Sequence, residues 1–132
     1  MKKIGIWLDK EKANIVTIKD EMEQFLTINS DIEYYNVKAN KTAGGASEVV
    51  KDRKFLEREK HQTKSYFKLI ASKIKDVNAL VIFGPAQMRE KFKKELDENY
   101  SHISAKVKGV IKVNKMTNNQ LKALVRDFFK TN

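Results

Sequence analysis

The sequence contains no cysteine, and this absence removes several classes of protein at once. Without thiols the chain has neither a disulfide framework nor a thiolate metal site or nucleophile. A reducing compartment is therefore the expected location. Histidine is scarce as well, since His61 and His102 are the two in the chain and lie far apart. We therefore expect no imidazole metal cluster and no cofactor, although carboxylates alone could still hold magnesium.

Long hydrophobic segments are also missing. The N-terminal stretch MKKIGIWLDK holds a short apolar run that Asp9 interrupts, which is too short for the core of a signal peptide. No window approaches the length needed to span a bilayer. The sequence accordingly predicts a cytoplasmic protein that has no membrane partner. A small-molecule ligand is not expected either.

Acidic residues are outnumbered by basic ones, 17 to 27, which gives a formal net charge of +10. An excess of this size concentrates polyanions around the protein and speeds encounter with them. RNA or the ribosome is therefore the leading class of partner. The alternative interpretation is a soluble, lysine-rich protein whose charges meet only water.

Three apolar, β-branched runs near the N-terminus alternate with short polar connections. IGIWL (4–8), ANIVTI (13–18) and QFLTI (24–28) are separated by DKEK and KDEME, which suits tight antiparallel turns. These runs predict a β-meander. The next segment, residues 30–37, fits either a further strand or an irregular strap over the core.

From Ser47 to about Lys75 the hydrophobic period becomes helical. Ser47 fits an N-cap, and Glu48 follows in the first turn, where negative charge complements the helix dipole. One apolar stripe forms on the predicted helix, flanked by Phe55 and Tyr66, and it comprises Val49, Leu56, Thr63, Phe67, Ile70 and Ile74. The opposite side is basic and is expected to face solvent.

A second strand and helix follow. ALVIF (79–83) is an unbroken apolar run, typical of a strand that is buried on both faces. Gly84 and Pro85 come next, and proline suits the first turn of a helix. That helix is indicated by apolar residues four apart, namely Met88, Phe92 and Leu96.

The chain closes with one more strand and one more helix. VKGVIKV (107–113) alternates as a half-buried strand does, and Thr117 with Gln120 forms a capping box before an amphipathic run. The whole order predicts one α/β domain over residues 1–132, with a mixed sheet of about five strands. The runs 4–8 and 79–83 are expected to be parallel neighbours through a right-handed crossover, which is a ribonuclease H-like topology.

This order of elements resembles a known domain. GGASEVVKDRKFLEREKHQTKSYFKLIASKI (44–74), followed by VNALVIFGPAQMREKFKKEL (77–96), is similar to the middle domain of the eukaryotic and archaeal class I release factors and of their ribosome-rescue relative Pelota. In that domain a ribonuclease H-like sheet carries a loop with a GGQ tripeptide, which a long basic helix follows. Single-domain bacterial proteins are similar to it too, and the resemblance covers about Met1 to Phe129.

The resemblance carries over to single residues in one place, the loop. Gly44 and Gly45 match the two glycines, and Ala46 stands where the family has glutamine. In the release factors the loop enters the peptidyl-transferase centre, where glycines let the main chain approach closely. Because Ala46 lacks the side-chain amide, the resemblance implies a non-catalytic RNA- or ribosome-binding protein related to translation termination and rescue factors.

The basic residues around that loop and along the helix behind it are the expected contacts. Phosphate contacts of this kind bind without sequence preference. The competing interpretation is a flexible loop followed by an ordinary solvated helix face. The expected RNA- or ribosome-binding residues are Lys41, Lys51, Arg53, Lys54, Arg58, Lys64 and Lys68.

Two alternatives stay open. A protein-interaction module would keep the fold without RNA binding, and Tyr34 and Tyr35 would then be the first surface to test. A ribonuclease H-like nuclease would hold magnesium between carboxylates, for which Asp9 and Glu48 are the candidate pair. Gly84 stands where a third carboxylate is wanted, so Asp9 is better explained as a turn residue and Glu48 as a complement to the helix dipole.

Overall fold

The computed structural model describes residues 1–32 and 45–131, and for residues 45–55 and 131 it describes the backbone alone. The predictions for residues 33–37 lie outside this part of the chain. Within it, strands and helices follow in the order β1 (Lys2–Leu8), β2 (Lys12–Lys19), β3 (Met22–Asn29), α1 (Gly45–Lys73), β4 (Ala79–Gly84), α2 (Met88–Asn99), α3 (Ser101–Ser104), β5 (Val107–Lys112) and α4 (Asn118–Thr131).

The strands form one mixed sheet in the order β3-β2-β1-β4-β5. The first three strands are antiparallel neighbours, which confirms the predicted meander. Strand β4 is parallel to β1, as the predicted crossover requires, and β5 is parallel to β4 on its other side. The fold is therefore the expected α/β fold with a mixed five-stranded sheet.

The β2–β3 turn is built by two residues with positive φ, Asp20 at 50° and Glu21 at 68°. Two-residue hairpin turns with positive φ at both positions match the right-handed twist of the flanking strands. This turn sets Lys19 opposite Met22 and so fixes the register of the whole hairpin. Neither turn residue is glycine or asparagine, so the geometry was not evident from the sequence.

Each face of the sheet has its own hydrophobic core. Ile4, Ile6 and Leu8 alternate along β1 toward α1 and α2, where Phe67 and Phe92 join the same buried cluster. The predicted repeat on the second helix is confirmed, because all three of its members are buried. None of the described helices combines the length and the hydrophobicity that crossing a bilayer requires.

Helix α4 covers the other face, where Trp7 is buried in the same cluster as Leu121 and Val125. The indole Nε1 of Trp7 donates a hydrogen bond to the carbonyl oxygen of Val113, 3.1 Å away. Thr117 and Gln120 form the predicted capping box. The Thr117 N–H donates to Gln120 Oε1 at 2.9 Å and the Gln120 N–H donates to Thr117 Oγ1 at 3.1 Å.

Two helix starts differ from their predictions. Helix α1 begins at Gly45, two residues before the predicted N-cap Ser47, because Ala46 is a strong helix former and continues the helix toward its N-terminus. Helix α2 begins at Met88, so Pro85 lies in a bend before it and not in its first turn. The short α3 was missed, since four residues are too few to show a helical period.

Candidate nucleic-acid interface

The second part of α1 fastens the helix to the sheet. Tyr66 and Phe67 are 2% and 3% exposed, and their rings stack with centroids 5.8 Å apart. The Tyr66 hydroxyl donates a hydrogen bond to the carbonyl oxygen of Asp9, the first residue after β1, at 3.2 Å. Tyr66 is therefore level with the carboxyl end of β1.

The first part of α1 extends beyond that level. Gly45 lies 21 residues ahead of Tyr66, which at 1.5 Å per residue is about 30 Å along the helix axis. From Leu56 to Ser65 no α1 residue is buried. The packing thus leaves this stretch of helix as surface.

Leu56 corrects the predicted apolar stripe. The sequence pattern assigns it to the buried side, but it is 62% exposed. The pattern identifies the correct side of the helix, since Phe67, Ile70 and Ile74 are all buried. It overestimates how far along the helix the sheet extends, because a strand of seven residues spans only about 23 Å, against about 43 Å for a helix of 29.

Three of the predicted RNA contacts are described with their side chains. Arg58, Lys64 and Lys68 are all exposed, and they lie within about 120° of the helix circumference. Lys60 and His61 are exposed on the same stretch, with Glu57 exposed and Glu59 half-buried among them. The described side of α1 is therefore predominantly basic and accessible, as predicted.

The other predicted site residues are only partly placed. Lys51, Arg53 and Lys54 lie on α1, whose side chains are outside the described residues at these positions. Gly45 and Ala46 are the first two residues of α1, so they belong to a helix, whereas the sequence predicted a loop for them. Lys41 and Gly44 lie outside the described residues, and so do Tyr34 and Tyr35.

An open groove of about 600 Å³ runs between α1 and α2. Leu56, Thr63 and Phe67 line it from α1. Its rim holds charges of both signs, which the sequence did not bring together because they come from two helices. The charged residues on this rim are Glu57, Glu59, Lys60, Lys64, Lys91 and Glu95, and His61 lies among them.

Of the carboxylate pair considered for a nuclease, only Asp9 has a described side chain. Oδ1 of Asp9 accepts hydrogen bonds from the backbone N–H groups of Glu11 at 2.8 Å and Lys12 at 2.9 Å. These bonds stabilise the β1–β2 turn, in agreement with the interpretation of Asp9 as a turn residue. Glu48 lies on α1 where side chains are not described.

The class that the fold defines is an α/β domain with a mixed five-stranded sheet, and solved structures share it. Pelota from Archaeoglobus fulgidus has a TM-score of 0.58 at 10% identity, covering 96% of this chain and 31% of that one. An archaeal translation termination factor has 0.56 at 10% identity, covering 98% and 39%. Thermoplasma acidophilum Pelota has 0.54 at 19% identity, covering 100% and 32%.

The likeness at these identities shows the fold. The chain spans about a third of the length of those structures. No protein-family model matches the sequence, and no curated protein matches it.

Proposed function

We propose that this protein binds RNA, free or on the ribosome, through the basic side of α1 and the glycine pair at its start. The single observation that carries the proposal is the stretch Leu56–Ser65, a helical segment without a buried residue, which is not used to build the core. The same fold occurs in Pelota and in a protein described as a translation termination factor. A role related to translation is therefore the best-supported context.

Electrostatics favours this choice of partner. A formal net charge of +10 attracts polyanions at long range, and exposed lysine and arginine side chains then contact phosphates without reading sequence. The proposed contacts are Lys41, Lys51, Arg53, Lys54, Arg58, Lys64 and Lys68. We propose that residues 1–132 form one domain, because the two described cores share a single sheet.

We further propose that the contact is not hydrolytic. Ala46 occupies the position that holds glutamine in the resemblance, and a methyl group offers neither donor nor acceptor to a water molecule. Gly44, Gly45 and Ala46 then serve as a small, sterically undemanding tip. Such a tip suits close approach to a crowded surface.

The test is a charge reversal with a matched control. Lys54, Arg58, Lys64 and Lys68 are changed together to glutamate, and the control changes Lys94, Lys108, Lys112 and Lys115, which are exposed elsewhere. Affinity for single-stranded RNA and co-sedimentation with ribosomes are measured across a salt series. If each α1 residue contacts one phosphate, the slope of log affinity against log salt falls by about 3 in the α1 variant.

The control separates a local footprint from bulk charge, because both variants change the net charge equally. Equal loss of binding in both variants would contradict the proposal. Thermal midpoints should change little in either, since exposed charges contribute little to stability.

A protein partner is the second candidate, favoured by Leu56. Leu56 is 62% exposed and lines the open groove together with Phe67, so a protein partner could bury apolar surface there. The Leu56→Asp variant is then expected to bind RNA with the same affinity as the wild type. Loss of ribosome co-sedimentation in this variant alone would favour a protein contact on the ribosome over an RNA contact.

A further inference from the structure

The far end of α1 holds a second basic site, formed by different residues. Lys2 and Lys19 are direct partners in the antiparallel β1–β2 ladder. Residues opposite each other in such a ladder project from the same face, and like charges placed there are destabilising. Because side chains alternate along a strand, Lys2 shares its face with Ile4 and Ile6, the face that α1 covers.

A third lysine reaches the same place from the helix. Lys73 is the last residue of α1, and with Lys2 it lines an open pocket of about 470 Å³. The C-terminal end of α1 carries a partial negative charge of about half a unit, which offsets only part of the charge of three lysines. Within the described residues, none of the three takes part in a salt bridge.

The remaining lining of the pocket is neutral. Thr17 and Gln24 are cross-strand partners that offer a hydroxyl and an amide, and Ile15 and Leu26 form the next pair along the ladder. No carboxylate lines this pocket. The α1–α2 groove differs, since three glutamates share its rim with its basic residues.

We propose that this pocket binds a phosphate group. Lys2 and Lys73 line the pocket and, with Lys19 beside Lys2 in the ladder, neutralise the charge. Thr17 and Gln24 donate hydrogen bonds, and Leu26, which is 43% exposed, provides an apolar wall for a sugar or base. A bound dianion also removes the repulsion between Lys2 and Lys19. The site is independent of the proposed function, because α1 places it about 40 Å from Gly45.

The phosphate could belong to an RNA backbone or to a small phosphorylated molecule, and the probes distinguish the two sources. Inorganic phosphate, uridine monophosphate and a short single-stranded RNA are each titrated while the backbone amide resonances of Thr17 and Gln24 are followed by NMR. Shifts of both resonances with inorganic phosphate support the site. RNA that shifts them at lower concentration than the mononucleotide identifies the backbone as the source, and the reverse order identifies the small ligand.

The variant is Lys2→Gln, Lys19→Gln and Lys73→Gln together, and its matched control is Lys94→Gln, Lys108→Gln and Lys115→Gln. We expect at least a tenfold loss of phosphate affinity in the pocket variant and no more than twofold in the control. The glutamate reversal on α1 should leave phosphate binding intact, so the two proposals fail separately.

Stability provides a readout that does not depend on affinity. Without phosphate, Lys19→Gln should raise the melting temperature because it removes a like-charge pair, whereas phosphate should raise the melting temperature of the wild type more than that of the variant. Equal loss of phosphate affinity in the pocket and control variants, or unchanged Thr17 and Gln24 resonances, would overturn the proposal.

Discussion

Between Tyr66 and Lys73, α1 buries four residues against the sheet, whereas between Leu56 and Ser65 it buries none. The two stretches belong to one continuous helix, and Leu56 lies on the same side of it as Phe67 and Ile70. The pattern identifies which side of a helix is apolar, but the neighbouring elements decide whether that side is covered. The first stretch is consequently available for binding, and the second holds the helix in place.

The largest expected effect is on the covered stretch. Phe67→Ala removes a ring that is 3% exposed and lies 5.3 Å, centroid to centroid, from the ring of Phe92. Truncation of a buried phenylalanine leaves a cavity and costs about 3–5 kcal/mol in the free energy of unfolding. Urea denaturation measures this loss.

Leu56→Ala is the matched change on the uncovered stretch. Since Leu56 is 62% exposed, we expect the free energy of unfolding to change by no more than about 0.5 kcal/mol. A cost for Leu56→Ala that approaches that of Phe67→Ala would break the comparison, because it would mean that the first stretch is packed in solution.

A smaller effect sharpens the comparison with α4, whose first turn is held by the capping box. Thr117→Ala removes the side-chain acceptor for the Gln120 N–H and should cost about 1 kcal/mol. Thr63→Ala is the control within α1, where the Thr63 hydroxyl donates only to the Glu59 carbonyl one turn earlier. The free energy of unfolding should stay nearly the same or rise slightly in Thr63→Ala, because alanine is the better helix former.

The smallest expected effect concerns an exposed group on α2. A hydrogen bond from Lys93 at 2.6 Å and another from the Ser104 hydroxyl lower the pKa of the Asp97 carboxyl. A lowered pKa in the folded state stabilises the protein at pH above the ordinary value of 3.8, and the contribution is lost as the pH falls through the folded pKa. Asp97→Asn should therefore lower the melting temperature slightly near neutral pH and not at pH 2.

The control for Asp97→Asn is Glu98→Gln, which removes another exposed carboxylate one residue later. A melting-temperature difference for Asp97→Asn that persists unchanged at pH 2, or an equal effect of Glu98→Gln, would contradict the assignment.

Most of the sheet could be predicted from the sequence because its strands are marked by local signals. The meander and the buried strand β4 follow from short apolar runs, and the crossover rule then makes β4 a parallel neighbour of β1. The features that escaped prediction depend on relations between elements. The exposure of Leu56 depends on the overlap of α1 with the sheet, and the Lys2–Lys19 pair depends on a register that no single strand reveals.

In the candidate interface, too, the features of a single helix could be predicted, whereas those formed by two helices could not. The basic side of α1 could be predicted because helical periodicity alone separates Arg58, Lys64 and Lys68 from the apolar side. The groove could not be predicted, since Lys91 and Glu95 reach it from another helix.

The start of α2 was also missed, because Pro85 is compatible with a bend as well as with a first helical turn.

The hydrogen bond from Tyr66 to the Asp9 carbonyl lies where the covered part of α1 begins, and the helix extends from there to Gly45 without a buried residue between Leu56 and Ser65. Gly45 is about 30 Å from Tyr66 along the axis, so a tilt of α1 by about 10° at that point would displace Gly45 by about 5 Å. The packing of Tyr66 and Phe67 therefore controls where the start of α1 points. Substitutions of Tyr66 or Phe67 would therefore shift the N-terminal end of α1 although they lie far from it in the sequence.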